Sequence, residues 1–273
     1  MRFGMCNELF EGWEFGRVCD ALRDIGFQGI EIAPFTLAPR IDALSHAQLS
    51  ELRSHIEGAG LTTIGLHWLL AKTEGLHLTH PDAAIRRETS RYLVALAEAT
   101  AALGGTLMVF GSPKQRDLID GVNVHQANDW AAEVFAAIMP HLGALGVDLC
   151  LEPLAPSETN YINSIAEARA LIDRVDHPNF KLHLDVKAMS ADPGGSITGL
   201  IARHGAEAGH FHAQDPGNLR GPGMGETDFG PIMRAVAASG YSGWVSVEVF
   251  DYSAGAEATA VQSLDCLKAC WPH

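Results

Sequence analysis

Eight short apolar runs, at 2–6, 28–33, 62–67, 106–110, 147–152, 180–185, 207–212 and 244–248, alternate with longer stretches of helical periodicity, and few folds accept that alternation. Strand and helix in strict turn to the end of a chain predict βα units around a parallel sheet, an α/β fold. The 273 residues divided by eight leave about 34 per unit, and a (β/α)₈ barrel typically takes about 250 residues. A single (β/α)₈ TIM barrel over residues 1–273, forming one domain, is therefore expected.

The punctuation between the runs agrees. Leu49, Leu52, Ile56 and Ala59 recur at i, i+3, i+7 and i+10 before Gly60, the spacing of one helix face ended by glycine. Pro81-Asp82 opens a helix expected over 82–103, which Gly104-Gly105 stops just before the strand 106–110. The same helix–glycine–strand order returns at Gly26, Gly146 and Gly240.

Six of the runs end in an acid or a histidine: Glu31, His67, Glu152, Asp185, His212 and Glu248. Strand ends on the C-terminal face of a barrel meet around one mouth, so residues far apart in sequence share one site. A lone acid at a strand end is commonly an N-cap or a loop ion-pair partner. Glu152, Asp185, His212 and Glu248 together are three carboxylates and an imidazole at the ends of buried strands, and such charges persist only when compensated. Oxygen donors with one nitrogen suit one divalent ion, Mn²⁺ first, Mg²⁺ or Co²⁺ next. His183 and His210 stand two residues before Asp185 and His212, on the same face and one layer deeper. They either orient the ligands through ring hydrogen bonds or are hydrogen-bonded core histidines.

Other polar residues complete the mouth. His67 is placed to touch a substrate, and Glu31 either binds a substrate hydroxyl or forms an ion pair across the opening. Loops 111–117 and 214–225 follow the fourth and seventh strands on this same face, and the second is too rich in Gly and Pro to be helical. Lys114 and Arg116 are candidates for holding a phosphate or acid group, although an exposed basic loop is the favoured reading. His77 and His80 are expected in a solvated loop.

Composition removes whole classes of function. A net charge of −14 repels polyanions and anionic lipid, so nucleic acid and membrane are poor partners. The chain has no Walker loop, no G-x-G-x-x-G after a strand and no G-x-S-x-G. Five cysteines without C-x-x-C spacing suggest neither a disulfide framework nor a thiolate zinc site and fit a reduced, cytoplasmic setting. The N-terminus carries no long apolar segment, and no run of 18 apolar residues occurs, so an unexported soluble protein is expected. A homo-oligomer, dimer or tetramer, is expected.

Several segments carry a resemblance. Leu151-Glu-Pro-Leu-Ala-Pro-Ser-Glu-Thr-Asn-Tyr-Ile-Asn163 resembles the E-P-L-N-x-x-E-T-N-Y-x-N segment of the xylose-isomerase-like sugar isomerase/epimerase superfamily, above all its ketose 3-epimerases, tagatose and allulose 3-epimerases among them. Leu184-Asp-Val-Lys-Ala-Met189 resembles their L-D-x-x-H-M. His210-Phe-His212, Asn218, Arg220 and Pro222-Gly-Met-Gly225 resemble their H-x-H, N-x-R and P-G-x-G, and Gly240-Tyr-Ser-Gly243 precedes the last strand as it does there. The resemblance implies that Glu152, Asp185, His212 and Glu248 bind the metal, that Glu152 and Glu248 are also the acid/base pair, and that Glu158 and Arg220 contact substrate. The histidine of L-D-x-x-H-M is Ala188 here, preceded by Lys187, which joins the expected substrate contacts. That change leaves the metal set complete and opens the identity of the sugar. The superfamily also holds three-zinc apurinic endonucleases, which need more ligands and a basic groove that the charge opposes.

The implied chemistry is a metal-stabilised cis-enediolate, with Glu152 taking a proton from one face and Glu248 returning one on the other. The expected outcome is epimerisation of a ketose or related keto-sugar at carbon 3. Return of the proton at the neighbouring carbon makes an aldose–ketose isomerase. Loss of a β-leaving group makes a lyase or dehydratase acting on a 3-keto-sugar or polyol derivative.

Overall fold

The computed structural model describes residues 1–272. Eight parallel strands close into a barrel in the order β1 to β8: β1 (Arg2–Cys6), β2 (Gly29–Ile32), β3 (Thr62–Leu66), β4 (Leu107–Phe110), β5 (Asp148–Leu151), β6 (Phe180–Asp185), β7 (Ala208–Ala213) and β8 (Trp244–Val247). Each expected run coincides with a strand to within a residue or two. The helices between them are α1 (Phe15–Ile25), α2 (His46–Gly58), α3 (Ala83–Ala102), α4 (Val124–Leu145), α5 (Ile165–Val175), α6 (Val186–Ala191), α7 (Ile197–His204), α8 (Phe229–Ala238) and α9 (Ala256–Cys270).

Local chemistry sets the helix ends. Ser45, Asn123 and Ser164 close reciprocal capping boxes with Gln48, Gln126 and Glu167, satisfying amides that have no partner within the helix. Asp82 caps α3 and Leu103 follows its last turn, as the sequence predicts. Gly26 and Gly146 end α1 and α4 at φ of 102° and 67°, a left-handed conformation that glycine adopts without a Cβ clash.

Two cores result. The larger lies between barrel and helices, where outward strand residues such as Ile30, Leu66, Met108, Leu149 and Phe211 meet Leu22, Leu96, Phe135, Leu142 and Ile201. The smaller plugs the lower lumen with Ile64, Leu107, Val109, Cys150 and Trp244. Gly29 makes room for that plug: a Cβ there would lie 2.8 Å from Ile64 and 2.9 Å from Trp244. Above the plug the lumen turns polar, with Glu31, His183, His210 and Ser246 all buried. No helix of the described residues is long and apolar enough to cross a membrane.

Candidate active site

The four expected ligands converge. Glu152 follows β5, Asp185 ends β6, His212 lies near the end of β7 and Glu248 follows β8, and each offers a donor atom within 4.8 Å of the others. All four are buried. Register places His212 beside Asp185 and, one layer down, His210 beside His183. Asp185 is also an N-cap: Oδ1 accepts from the Ala188 amide of α6 at 2.7 Å, while Oδ2 accepts from the Gln214 amide at 3.4 Å. Gly111 keeps the space beside Glu152 open, since a Cβ there would sit 2.3 Å from Oε2.

Of the two readings of Glu31, a substrate hydroxyl contact or an ion pair across the opening, the structure has a pairing, made to histidines inside the lumen and not to substrate space. Glu31 is fully buried, and its oxygens accept from His210 Nε2 at 2.7 Å and His212 Nε2 at 3.0 Å. It reaches across the lumen rather than into the mouth. With Nε2 donating to Glu31, the Nδ1 of His212 is left facing Glu248, 3.2 Å away, on the side where the carboxylates meet. A carboxylate behind an imidazole is the usual way to orient a metal-binding histidine. His210 therefore holds Glu31, and its ring also packs edge-on against that of His212, with centroids 5.0 Å apart. His183 differs from both expectations: neither ring nitrogen has a hydrogen-bond partner. Its ring packs at 4.3 Å and 77° against that of His212, and burial, with His212 and His210 near, keeps it neutral.

The charges show what the cluster is suited to hold. Burial and the proximity of Glu248 and Asp185 push the Glu152 carboxyl well above the usual range, and burial also raises Asp185. Glu248 feels the same burial, but His212 overrides it and holds the carboxyl at about 2. Burial works against charge on His212 too, yet Glu31 and Glu248 raise it well above the ordinary imidazole range. The buried carboxylates raise one another's proton affinity, which is the mark of clustered negative charge short of a cation. A divalent ion would offset that charge, so the donor set fits such an ion on charge and on ligand type.

Beside the cluster opens a cavity of about 410 Å³, whose walls include His67, Trp68, Lys114, Glu152, Glu158 and Glu248. His67 thus reaches the cavity as expected, with its Nε2 2.8 Å from the buried Glu8. Glu158 pairs with Lys187, whose ammonium lies 4.3 Å over the Phe250 ring. Arg220 does not line this cavity; its guanidinium donates to Asp251 and Ser253, each at 2.9 Å. Arg116 is neither an anion site nor an exposed loop residue. It is fully buried and donates to the Glu152 carbonyl at 2.6 Å and the Ile162 carbonyl at 3.1 Å, bracing the segment that carries Glu152. His77 is half-buried rather than solvated, accepting from the Thr79 amide at 3.2 Å.

Trp68, Glu8, Gln214 and Phe250 were not among the expected site residues. Trp68 directly follows the run that ends in His67, and Glu8 stands two residues beyond the run 2–6; that adjacency was the available signal. Trp68 sits at φ 52°, a left-handed backbone that costs a side-chain-bearing residue about 1–3 kcal/mol and is found where surrounding structure enforces it.

The molecule is thus a closed parallel barrel with a buried acid–histidine cluster at its C-terminal mouth. The chain belongs to the xylose isomerase-like TIM barrel family, whose model matches residues 19–270. In sequence it is 29% identical over 260 residues to the D-psicose 3-epimerase of Ruminiclostridium cellulolyticum, which spans 92% of this chain and 84% of that protein. Two solved structures share the barrel. D-psicose 3-epimerase from Clostridium cellulolyticum H10, solved with D-tagatose, aligns over 100% of both chains with a TM-score of 0.85 and 24% identity. The 3-keto-D-glucoside 4-epimerase of E. coli, in its apo form, aligns over 99% of this chain and 100% of its own, with a TM-score of 0.85 and 19% identity.

Proposed function

We infer that the chain is a divalent-metal-dependent carbohydrate epimerase, acting at carbon 3 of a ketose or related keto-sugar through a cis-enediolate. One observation carries the reading: Glu152 and Glu248 belong to the ligand cluster and also line the adjoining sugar-sized cavity. The 3-epimerase relatives support the same chemistry.

A proton next to a ketone is too weakly acidic to leave at neutral pH unless the resulting charge is offset. A divalent ion held by Glu152, Asp185, His212 and Glu248, Mn²⁺ being our first choice, would supply that offset by polarising the carbonyl and neighbouring hydroxyl. The protein's own residues move the protons. Glu152 and Glu248 both line the cavity, so one can take a proton while the other returns one, as two-base chemistry needs. Glu152 abstracts from one epimer and Glu248 from the other, each reprotonating what its partner has deprotonated. Glu158 and Lys187, paired at the cavity edge, are positioned to meet hydroxyl oxygens. Ala188, where the relatives' motif has histidine, favours a substrate other than a free ketohexose.

The test is turnover of a panel of ketoses, aldoses and 3-keto-sugars with Mn²⁺ in D₂O, followed by NMR. The expected result is an epimer carrying solvent deuterium at the inverted carbon. Glu152→Gln and Glu248→Gln should each lower kcat by orders of magnitude, since the amide keeps the shape but carries no exchangeable acid proton. An unsaturated or cleaved product would replace epimerisation by β-elimination, and an aldose product would make the enzyme an isomerase. Near-wild-type rates in both variants would remove the two-carboxylate mechanism. The same reading carries a cytoplasmic location and assembly as a dimer or tetramer, the latter checked by light scattering.

A further inference from the structure

We propose that Trp68 is a positioning residue for Glu248 and an aromatic wall of the substrate cavity, its indole N–H fixing one carboxylate oxygen so that the other faces the ligand cluster. This rests on the reading of Glu248 as an acid/base ligand.

The contact is direct. Trp68 Nε1 donates to Glu248 Oε1 at 2.6 Å, while Oε2 lies 3.2 Å from His212 Nδ1 on the side of the cluster. The two oxygens thus have different partners. An indole nitrogen donates only and takes no part in proton exchange at neutral pH, so it holds Oε1 without competing for the proton that Glu248 moves. Among the described residues no other side chain donates to Oε1. Without the indole the carboxylate is free to turn about its last bond and exchange the two oxygens.

The indole is itself held from several directions. Its ring is 5.4 Å from that of Phe250 and 5.8 Å from that of Phe35, and it lines the cavity with Glu152 and Glu248. Its backbone, at φ 52°, opens a turn in which the Ala71 amide donates to the Trp68 carbonyl at 3.0 Å. The next two residues, Leu69 and Leu70, are buried, and the Leu70 amide donates to Ser112 Oγ at 3.3 Å. An otherwise disfavoured backbone is thus locked so that one N–H points at an acid of the site. The flat ring also offers an apolar surface to the C–H face of a sugar while Glu248 meets its oxygens.

Trp68→Phe keeps a ring and removes the N–H; Trp68→Ala removes both. The first measurement requires no turnover. Of the indole N–H signals of the five tryptophans in a ¹⁵N-labelled protein, the one missing from Trp68→Phe should exchange slowly with water and should shift on adding Mg²⁺ and again in Glu248→Gln. A signal that ignores both perturbations overturns the proposal. The second measurement is kinetic. Trp68→Phe should lower kcat by about 10–100-fold, the usual cost of removing an orienting partner of a ligand, with KM within about twofold and metal content unchanged. Trp68→Ala should in addition raise KM. Wild-type kcat in Trp68→Phe would overturn the positioning role. If the wild type turns over no sugar in the panel, the proposed reaction fails, while the NMR measurement still decides whether Trp68 holds Glu248.

Discussion

Replacing Glu31 by glutamine tests how the fold prepares its site, because Glu31 touches neither solvent nor the cavity. Its oxygens accept from His210 Nε2 at 2.7 Å and His212 Nε2 at 3.0 Å, and the side chain is fully buried. The His rings hold its carboxyl well below the usual carboxylate range against the opposing effect of burial, so both are bonds to a charge. An amide of the same shape accepts at one end only. If its NH₂ faces His212, Nε2 must become the acceptor and the ring proton moves to Nδ1, the nitrogen that faces the cluster. If it faces His210, that ring must move its proton to Nδ1, which has no partner, leaving a buried N–H unsatisfied at a cost of about 1–3 kcal/mol. Either arrangement weakens the support behind His212, and loss of such a partner costs about 10–100-fold in metal affinity, or about 1.4–2.7 kcal/mol. Glu31→Gln should therefore bind Mn²⁺ about 10–100-fold more weakly by calorimetry, and its metal-free form should melt below the wild type. A dissociation constant within twofold of wild type would refute the argument that Glu31 sets the tautomer of His212.

Further outcomes follow from the same geometry. Elemental analysis after Mn²⁺ reconstitution should find about one ion per chain, most of it lost in Asp185→Ala and in His212→Ala; full retention in both would remove the site. Burial and then Glu248 and Asp185 raise the Glu152 carboxyl, so a cation must displace a proton: Mn²⁺ affinity should rise with pH, with proton release visible as a buffer-dependent binding enthalpy. Burial and His80 lower His77, so the unfolded chain takes its proton first and stability falls as pH drops below about 6.5. His77→Gln should flatten that part of a plot of melting temperature against pH. Arg116→Met leaves the Glu152 carbonyl without this donor, at about 1–3 kcal/mol, while the Ile162 carbonyl still accepts from the Leu154 amide at 3.1 Å, and thermal unfolding should report the loss.

The strands, the helix ends and the convergence of the four acid and histidine side chains were legible in the chain because each rests on a local rule. Apolar runs with glycine after each helix give the βα alternation, and eight parallel strands have one face on which their ends must meet. Glu152, Asp185, His212 and Glu248 therefore had to converge if the barrel formed. Even the layer below was legible for β6 and β7, since a period of two places His183 and His210 under Asp185 and His212. Contacts made across the lumen were not. Whether Glu31 meets His212, 181 residues away in sequence, or Trp68 meets Glu248, 180 away, depends on the tilt and stagger with which the barrel closes. No local pattern encodes that geometry. For the same reason Arg116 read as an exposed basic residue until the fold turned it inward onto two carbonyls. Strand-end chemistry was fixed by periodicity and parallel order, whereas the partner behind each ligand was decided only when distant strands came to face one another.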